Sequence, residues 1–406
     1  MYTSLTNQLP TSTAARPNEI VPEQQTLQAN QPFQKLYAEV VVNIPLNKIF
    51  HYSIPTHLRD NLTAGMRVKI PFGNKITTGF CVGFTDTPSP YHIKDIINVI
   101  DKRPLADDVM LKITKWLSFH YYCGWGEAIN AVIPPVARRS VKEKEALFVT
   151  PCDALTKLDQ QILSQLKTRA PKQAKVLEFF SENFQEISAG ELIQISGCKM
   201  PGLRQLEKKG FLAIQNKPQH FIDTPCDLGP LQQHLTFTEE QQNAFDIINK
   251  RLAQPDPGVI LLHGITGSGK TEVYLQSIAK VLEHGRKAIF LVPEISLTSQ
   301  TIQRIKARFN NVAILHSHLL GAFHYSQWND IKEDKVDIVI GARSSIFAPL
   351  KNVGLIIIDE EHENTYKQEN NPRYNARDVA ILRAAYENAM VILGTATPSL
   401  ETYYHA

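Results

Sequence analysis

One eight-residue segment restricts the possible fold of this chain more than any other feature, because it has the pattern of a phosphate-binding loop. The apolar residues 259–262 before it predict a buried parallel strand, and residues 271–282 after it predict a helix. Glycines in such a loop let backbone N–H groups converge on the phosphates of a nucleotide at the positive end of the helix. By itself the pattern also fits a glycine-rich turn without a ligand. The segment consists of Gly264, Ile265, Thr266, Gly267, Ser268, Gly269, Lys270 and Thr271.

Two side chains of this segment have a predicted role in binding ATP. Lys270 would balance the charge of the β- and γ-phosphates, and the hydroxyl of Thr271 would be a magnesium ligand. The cofactors expected from the loop are therefore ATP and magnesium. The domain expected around it is an α/β domain with a parallel sheet.

A second segment with the chemistry of an ATP site follows another apolar run, residues 355–358. Asp359 would hold magnesium, directly or through water, and Glu360 would orient and activate the water that attacks the γ-phosphate. The alternative is a strand that ends in a solvated acidic turn, which the loop about 90 residues upstream disfavours. With Lys270, these two acids are the predicted catalytic residues. The segment consists of Asp359, Glu360, Glu361 and His362.

His362 has two interpretations. It either caps a helix or relays between the ATP site and a third motif, the Gly-Thr-Ala-Thr of residues 394–397. Together the three segments are typical of a nucleic-acid-dependent ATPase.

Composition limits the environment in which the chain works. A length of 406 residues predicts two to four domains, and a net charge of +3 is too small to show nucleic-acid binding by a global field. No apolar run reaches membrane-spanning length and no signal peptide is evident, so a cytoplasmic location without membrane contact is expected. The five cysteines lie far apart without a CxxC pair, which predicts neither a zinc site nor a disulfide framework.

Changes in pattern along the chain predict a multidomain protein. The first part is rich in Gln, Thr, Asn and Pro and should be disordered, and short alternating strands then indicate a β-rich domain. A charge run after Pro134-Pro135, residues 138–145, reads as an exposed linker. The predicted divisions are a disordered arm at 1–35, a β-rich domain at 36–136, a linker and helical domain at 137–225, and the ATP-binding lobe at 226–406.

The third division has the order of elements of a winged helix. Helical patterns at residues 173–183, 188–195 and 201–209 are followed by a short strand pattern. In that motif the last helix enters a groove of DNA, whereas in the alternative, a protein-docking unit of three helices, its basic side chains are only solvated. The candidate DNA contacts are Lys199, Arg204, Lys208 and Lys209.

Three further segments of the ATP-binding lobe have candidate functional residues. Gln241 either completes a capping box with Thr238 or reads the edge of adenine with its amide. Residues 291–298 and 338–345 each follow a buried strand, and both supply hydroxyls and backbone N–H groups. Arg343 and Ser344 of the latter segment suit the phosphates of a single DNA strand.

These motifs, in this order, resemble those of the PriA family of replication-restart helicases, also called primosomal protein N′. The similar segments include LVPEISLT, GARSSIFAP, IIIDEEH, YKQENNPRYNARDVA and ILGTATPSLE. The resemblance implies a 3′-to-5′ DNA helicase with a RecA-like first motor lobe that recognises stalled forks and starts primosome assembly. Its implied partners are forked and single-stranded DNA with a 3′ end, primosome proteins and the single-stranded-DNA-binding protein, with the chain as a nucleoid-associated monomer in bacteria.

The resemblance extends to the β-rich front, where LNKIFHYSIP, RVKIPFG, ITTGFCVGF and IKDIINVID are similar to the family's domain for the 3′ end of the leading strand. It implies that Phe50, Gly79 and Lys94 line the 3′-end pocket. His51 stands where the family often has aspartate, a difference that bears on polar recognition of the terminal nucleotide.

A loop after the acidic segment is similar to the family's aromatic-rich loop, which couples DNA contact to ATP hydrolysis. The alternative is a helix start held by ordinary packing. The residues that match are Tyr366, Arg373, Tyr374 and Arg377, of which the last two are candidate DNA contacts.

The sequence ends at Ala406, soon after the third motif. The family's second motor lobe, zinc-binding cysteines and C-terminal domain are absent from it, so the chain is expected to be a fragment that does not unwind DNA and does not bind zinc. Two alternatives to a helicase stay open: a non-catalytic module that binds fork DNA with ATP as a structural ligand, and a restriction or chromatin-type translocase.

Overall fold

The computed structural model describes most of the chain in two compact units. One unit combines residues 1–139 with 223–406, and the other is formed by residues 140–222. No helix among the described residues is both long enough and apolar enough to span a membrane. The described residues are 3–4, 37–88, 93–134, 145–152, 167, 170–182, 187–218, 235–293, 299–315 and 321–406.

The β-rich front of the first unit is a six-stranded sheet with strand order β6-β3-β2-β5-β4-β7. Its core is made by alternating apolar residues of β2 and β4, such as Val40 and Val68, which are fully buried. Two helices follow, and the second was not predicted. The sequence feature that marks its start is a glutamate, Glu127, three residues after Gly124: its Oε2 accepts from Gly124 N at 2.9 Å, as in a capping box. The strands are β1 Thr3–Ser4, β2 Tyr37–Val42, β3 Phe50–Ser53, β4 Arg67–Phe72, β5 Lys75–Thr85, β6 Lys94–Asp95 and β7 Asn98–Val99, and the helices are α1 Asp108–His120 and α2 Trp125–Val132.

The N-terminal arm was predicted to be disordered. Within it the structure describes only β1, which pairs antiparallel with residues 260–261, so the prediction is wrong for Thr3 and Ser4. The other residues of the arm lie outside the described part of the chain.

The described residues of the second unit form three helices and a three-stranded antiparallel sheet of order β10-β8-β9. The predicted helices are present within two residues of their expected starts. Strand β8 was missed because the charge run before it was read as a linker that extends to Glu145, whereas β8 begins at that residue. Residues 135–144 lie outside the described part. The elements are β8 Glu145–Pro151, α3 Pro171–Glu182, β9 Ile187–Ser188, α4 Ala189–Ser196, α5 Met200–Lys208 and β10 Leu212–Pro218.

The ATP-binding lobe is an α/β layer structure, as its apolar runs predicted. Six parallel strands have the order β11-β16-β15-β12-β14-β13, with β1 added antiparallel to β11. Apolar side chains cover both faces, as parallel strands require. The strands are β11 Val259–His263, β12 Lys287–Leu291, β13 Val312–Leu315, β14 Ile338–Gly341, β15 Val353–Ile358 and β16 Met390–Thr395. The helices are α6 Glu239–Leu252, α7 Lys270–Glu283, α8 Ser299–Lys306, α9 Gly321–Lys332, α10 Ala376–Glu387 and α11 Leu400–His405.

The front and the ATP-binding lobe pack together within the first unit through α1 and α10. Tyr121, which follows α1, donates its hydroxyl to Asp378 Oδ2 at 3.2 Å and accepts from Asn375 N at 3.1 Å. Asn375 is the N-terminal cap of α10, since its side chain accepts from Arg377 N. A side chain of the front therefore contacts the first turn of a helix that begins inside the YKQENNPRYNARDVA segment.

Candidate functional site: an ATP site at the carboxyl edge of the sheet

The phosphate loop connects β11 to α7, as the sequence predicted. Gly267 and Gly269 both have φ of +81°, a left-handed conformation that side chains rarely adopt. Ser268 Oγ is buried and has no hydrogen-bond partner among the described residues. A donor left free in a loop of this shape suits an anion, because buried polar groups are otherwise bonded.

Lys270 stands at the first position of α7 and is 9% exposed. Its Nζ donates to Gly264 O at 2.8 Å and lies 3.7 Å from Glu360 Oε1. The structure thus brings the predicted phosphate-binding lysine and the predicted water-activating glutamate together.

Gln241 supports the loop from outside. Its Oε1 accepts from Thr238 N at 3.0 Å, which completes the predicted capping box of α6, and its Nε2 donates to Ser268 O at 2.8 Å. A Cβ at Gly269 would overlap this amide, so the close approach of Gln241 requires glycine there. Both ends of the amide contact protein in this conformation, rather than an adenine edge.

The acidic segment follows β15 at the same edge of the sheet. Glu360 has φ of +46° and its Oε2 accepts from Ala396 N at 3.3 Å. Burial, and next the negative charge of Glu360, raise the pKa of the Asp359 carboxyl above its usual value. Two carboxylates side by side in a partly buried site are the arrangement that a divalent cation stabilises.

His362 contacts the third motif. Its Nδ1 lies 2.8 Å from Thr395 Oγ1, and Thr395 is fully buried at the end of β16. This contact joins the acidic segment to the third motif, and His362 is not the N-terminal cap of the short helix that follows, which is Glu363.

Glu361 is the most enclosed acid of the segment, with no exposed side-chain surface. Its Oε2 accepts from Arg377 Nη1 at 3.0 Å and from Thr402 Oγ1 at 3.0 Å, and its Oε1 accepts from Ser399 N at 2.9 Å. Arg377, a candidate DNA contact, is thereby joined to the acidic segment. These partners of Glu361 are not evident from the sequence, because they are 16 to 41 positions away in the chain.

The aromatic residues Tyr366 and Tyr374, in the loop after the acidic segment, are buried inside the lobe. Tyr366 is 1% exposed, and its hydroxyl lies 2.7 Å from Asp359 O. Tyr374 is 2% exposed and packs against Phe347 with ring centroids 5.0 Å apart. Burial raises the pKa of Tyr374 to about 12. In this conformation its ring is therefore not accessible to a DNA base, whereas Arg373 is exposed.

Arg343 contacts the same loop from the other side. Its Nη1 donates to Lys367 O at 2.6 Å and to Thr365 O at 3.1 Å, and its guanidinium lies 5.9 Å from the ring centre of Tyr374. Ser344 beside it is exposed. The other predicted strand-end segment, residues 291–298, is described only to residue 293, because residues 294–298 lie outside the described part of the chain.

The predicted 3′-end residues only partly come together. Phe50 is half-buried against Phe72, with ring centroids 5.1 Å apart, and Lys48 Nζ lies 5.5 Å above its ring. Lys94, on the strand next to that of Phe50, is exposed and donates its Nζ to Gly73 O at 3.3 Å. Phe72 and Lys48 were not recognised from the sequence as residues near Phe50, because this proximity depends on the folding of the strands and not on a local pattern.

Gly79 is buried in the sheet instead of lining an open surface. A Cβ at Gly79 would overlap Val40 Cγ1, so packing between β2 and β5 explains the glycine. His51 points toward the same strand β2, with Nε2 3.8 Å from Glu39 Oε1.

The ATP site has the donors that ATP with magnesium requires. Phosphates would meet the loop amides, Ser268 Oγ and Lys270, and magnesium would be held by Thr271 and Asp359. Among the described residues, no group of three His, Cys, Asp or Glu side chains forms a site for a metal held by protein alone.

Fold and site define a helicase-type P-loop ATPase lobe. The family described as DEAD/DEAH box helicase matches residues 238–405, and the family described as the 3′DNA-binding domain (3′BD) of PriA matches residues 39–134. The chain belongs to the PriA family of replication restart proteins.

Curated relatives have similar sequences over most of this chain. The replication restart protein PriA of Bacillus subtilis is 34% identical over 91% of this chain and 54% of its own length. That of Chlamydia muridarum is 36% identical over 92% and 50%, and that of Rickettsia felis is 44% identical over 89% and 43%. The chain therefore spans about half the length of these relatives.

One solved structure matches a smaller part of this chain. A hypothetical ATP-dependent RNA helicase from Sulfolobus tokodaii matches 42% of this chain and 49% of its own, with 22% identity and a TM-score of 0.31. A TM-score this low does not establish a common fold.

Proposed function

We propose that this chain binds ATP with magnesium at the phosphate loop and hydrolyses it in response to DNA, as the first motor lobe of a 3′-to-5′ replication-restart helicase. The observation that carries the proposal is the contact of Lys270 with Glu360 at 3.7 Å, beside a loop with two left-handed glycines and a buried, unbonded Ser268 hydroxyl. Family membership supports the same function.

The residues of the site have separate tasks in this reaction. Lys270 would exchange its bond to Gly264 O for the β- and γ-phosphates, and Thr271 and Asp359 would hold magnesium, which supplies charge neutralisation when bound. Glu360, held by Ala396 N, would orient a water molecule in line with the γ-phosphate and accept its proton. His362 would transmit changes at the ATP site to the third motif through its contact with Thr395, a residue of that motif.

The front domain is proposed to recognise a 3′ end of forked or single-stranded DNA. Phe50 would offer an aromatic face to the terminal base and Lys94 a cation to a phosphate. Gly79 would contribute to 3′-end binding by allowing β5 to pack against β2, and not by contacting the DNA itself. Arg343, Ser344 and Arg377 are proposed to contact the strand on the motor lobe, and the buried ring of Tyr374, which lies beside the Arg343 guanidinium, would hold that arginine in position.

Further proposals concern the rest of the chain. The second unit is proposed to be a winged helix, with the exposed Lys199, Arg204, Lys208 and Lys209 on or beside α5. The division into arm, 3′-end domain, winged-helix region and motor lobe is likewise proposed. So are a monomeric state, the start of primosome assembly at stalled forks, and binding to primosome proteins and to the single-stranded-DNA-binding protein. We also propose that the 406-residue chain is part of a longer motor.

Steady-state ATP turnover by the 406-residue chain, with and without single-stranded DNA, tests the function. Because the chain is proposed to be part of a longer motor, we expect a very low turnover that DNA stimulates and that Glu360→Gln lowers further, with ATP binding retained. Turnover that is equal in the variant and the wild type, and that DNA leaves unchanged, would favour the alternative of a fork-binding module with ATP as a structural ligand.

A further inference from the structure

Tyr274 is a buried residue of α7 that the ATP-site motifs do not include. It lies three residues after Thr271 on the same face of α7, and none of its surface is exposed. Its hydroxyl donates to Asp359 Oδ1 at 3.1 Å. The helix that presents the predicted magnesium-binding hydroxyl therefore also contacts the predicted magnesium-binding carboxylate.

Apolar packing explains the ring of Tyr274 but not its hydroxyl. The ring packs edge-on against Phe290, with centroids 5.6 Å apart, and a phenylalanine would fill the same space. A buried hydroxyl is unfavourable unless it is bonded, and Asp359 provides the bond.

Gly394, the first residue of the third motif, provides a second observation. A Cβ at this position would overlap the Tyr274 hydroxyl. Two strands of the sheet thus accommodate the hydroxyl: Asp359, its acceptor, directly follows β15, and the next-to-last residue of β16 is the glycine that leaves it room.

A second tyrosine holds the backbone of the same aspartate. Tyr366 Oη lies 2.7 Å from Asp359 O, while Tyr274 contacts the carboxylate. The main chain of Asp359 and one of its carboxylate oxygens are therefore both held by tyrosine hydroxyls, so two separate contacts fix how the carboxylate is presented. Partners that orient a metal ligand in this way are known to govern the affinity of metal sites.

We infer that Tyr274 is a positioning residue for magnesium: its hydroxyl fixes the Asp359 carboxylate so that magnesium is bound together with the nucleotide. The inference rests on the proposed function and names a residue that sets the metal dependence of that site. The ring would be needed for folding and the hydroxyl for metal affinity.

The test is binding of a fluorescent ATP analogue to the 406-residue chain, titrated with magnesium and repeated in EDTA. In Tyr274→Phe we expect the magnesium concentration for half-maximal binding to rise about 10-fold or more, with binding in EDTA unchanged. Ser277→Ala is the matched control, because it removes a buried hydroxyl of α7 that donates to Val273 O within the same helix, at 2.7 Å. It should leave the magnesium titration unchanged.

Gly394→Ala is the second variant, since it displaces the hydroxyl while it keeps the tyrosine, and it should raise the magnesium requirement in the same direction. Melting temperatures identify a variant that does not fold. A folded Tyr274→Phe with the magnesium titration of the wild type would overturn the inference even if ATP binding itself is intact. A wild type that binds no nucleotide, with or without magnesium, would instead overturn the proposed function.

Discussion

The ATP site and the surface around Phe50 differ in how far the fold fixes them before a ligand binds. At the ATP site, Lys270 and Glu361 are buried and Tyr274 is fully enclosed, and each has a bonded partner from another element. At the front, Phe50 is half-buried and Lys94 is exposed, with a single bond of 3.3 Å to Gly73 O. The side chains of the first site are therefore held in place before a ligand binds. Those of the second site would have to be ordered by the DNA end itself.

The largest effect is expected from Lys270→Ala at the preorganised site. The change removes a cation at the β- and γ-phosphates, a charge-assisted contact of roughly 1.5–3 kcal/mol, so ATP affinity should fall about 10- to 100-fold. Calorimetric titration of ATP with magnesium measures this directly. Lys280→Ala is the matched control, because Lys280 lies on the same helix but pairs with Glu283 at the surface. Equal affinity of the wild type and Lys270→Ala would remove the basis for an ATP site.

Phe50→Ala tests the front of the molecule. A base stacked on an aromatic ring contributes roughly 1–3 kcal/mol, so affinity for a fork with a free 3′-hydroxyl should fall about tenfold. Because Phe50 also packs on Phe72, Phe50→Leu is needed as a partner variant that keeps apolar burial and loses the aromatic face.

Both Phe50 variants should bind the fork weakly if the ring stacks on DNA. If Phe50→Leu binds as the wild type does, Phe50 is a packing residue and the front surface is not a stacking site. Forks that end in a 3′-phosphate provide the comparison for end recognition. Circular dichroism checks that each variant is folded.

The same contrast explains how much the sequence could predict. The loop at 264–271 and the acidic segment at 359–362 lie between a strand and the structure after it, so a local pattern is sufficient to locate them. The bonds of Glu361 to Arg377 and of Tyr274 to Asp359 depend on which strands are neighbours, and no local pattern indicates that. Helix α2 was missed although Trp125, Ala128, Ile129 and Val132 have helical spacing, and strand β8 was missed because it begins at the last residue of the charge run.

A smaller effect, and a gain instead of a loss, is expected from Asp359→Asn. In the absence of ligand, this variant should be more stable to thermal unfolding than the wild type. Burial raises the pKa of Asp359, so folding disfavours its charged form. At neutral pH the wild type has the full penalty and the asparagine variant does not, so the variant should melt about 2 °C higher, the shift for roughly 1 kcal/mol.

The pH dependence of this difference follows from the sign of the shift. The wild type loses stability as pH rises from the pKa of Asp359 in the unfolded chain, near 4, through the raised pKa in the folded protein. Above the folded pKa this loss is constant. The difference in melting temperature between variant and wild type should therefore shrink as pH is lowered toward about 4. A constant difference over that range would mean that Asp359 is not strained by burial.

The smallest effect is expected from Lys94→Ala at the front surface. Lys94 is exposed, so its contribution to DNA binding should be one phosphate contact: a loss of a few-fold in affinity, and a dependence on salt that is flatter by about one counterion. Lys75→Ala is the matched control, because Lys75 is an exposed lysine at the start of strand β5. Fork titrations at several salt concentrations distinguish the two variants. If both change the salt slope equally, the lysines act as a general basic surface, and the 3′-end pocket must then depend on Phe50 alone.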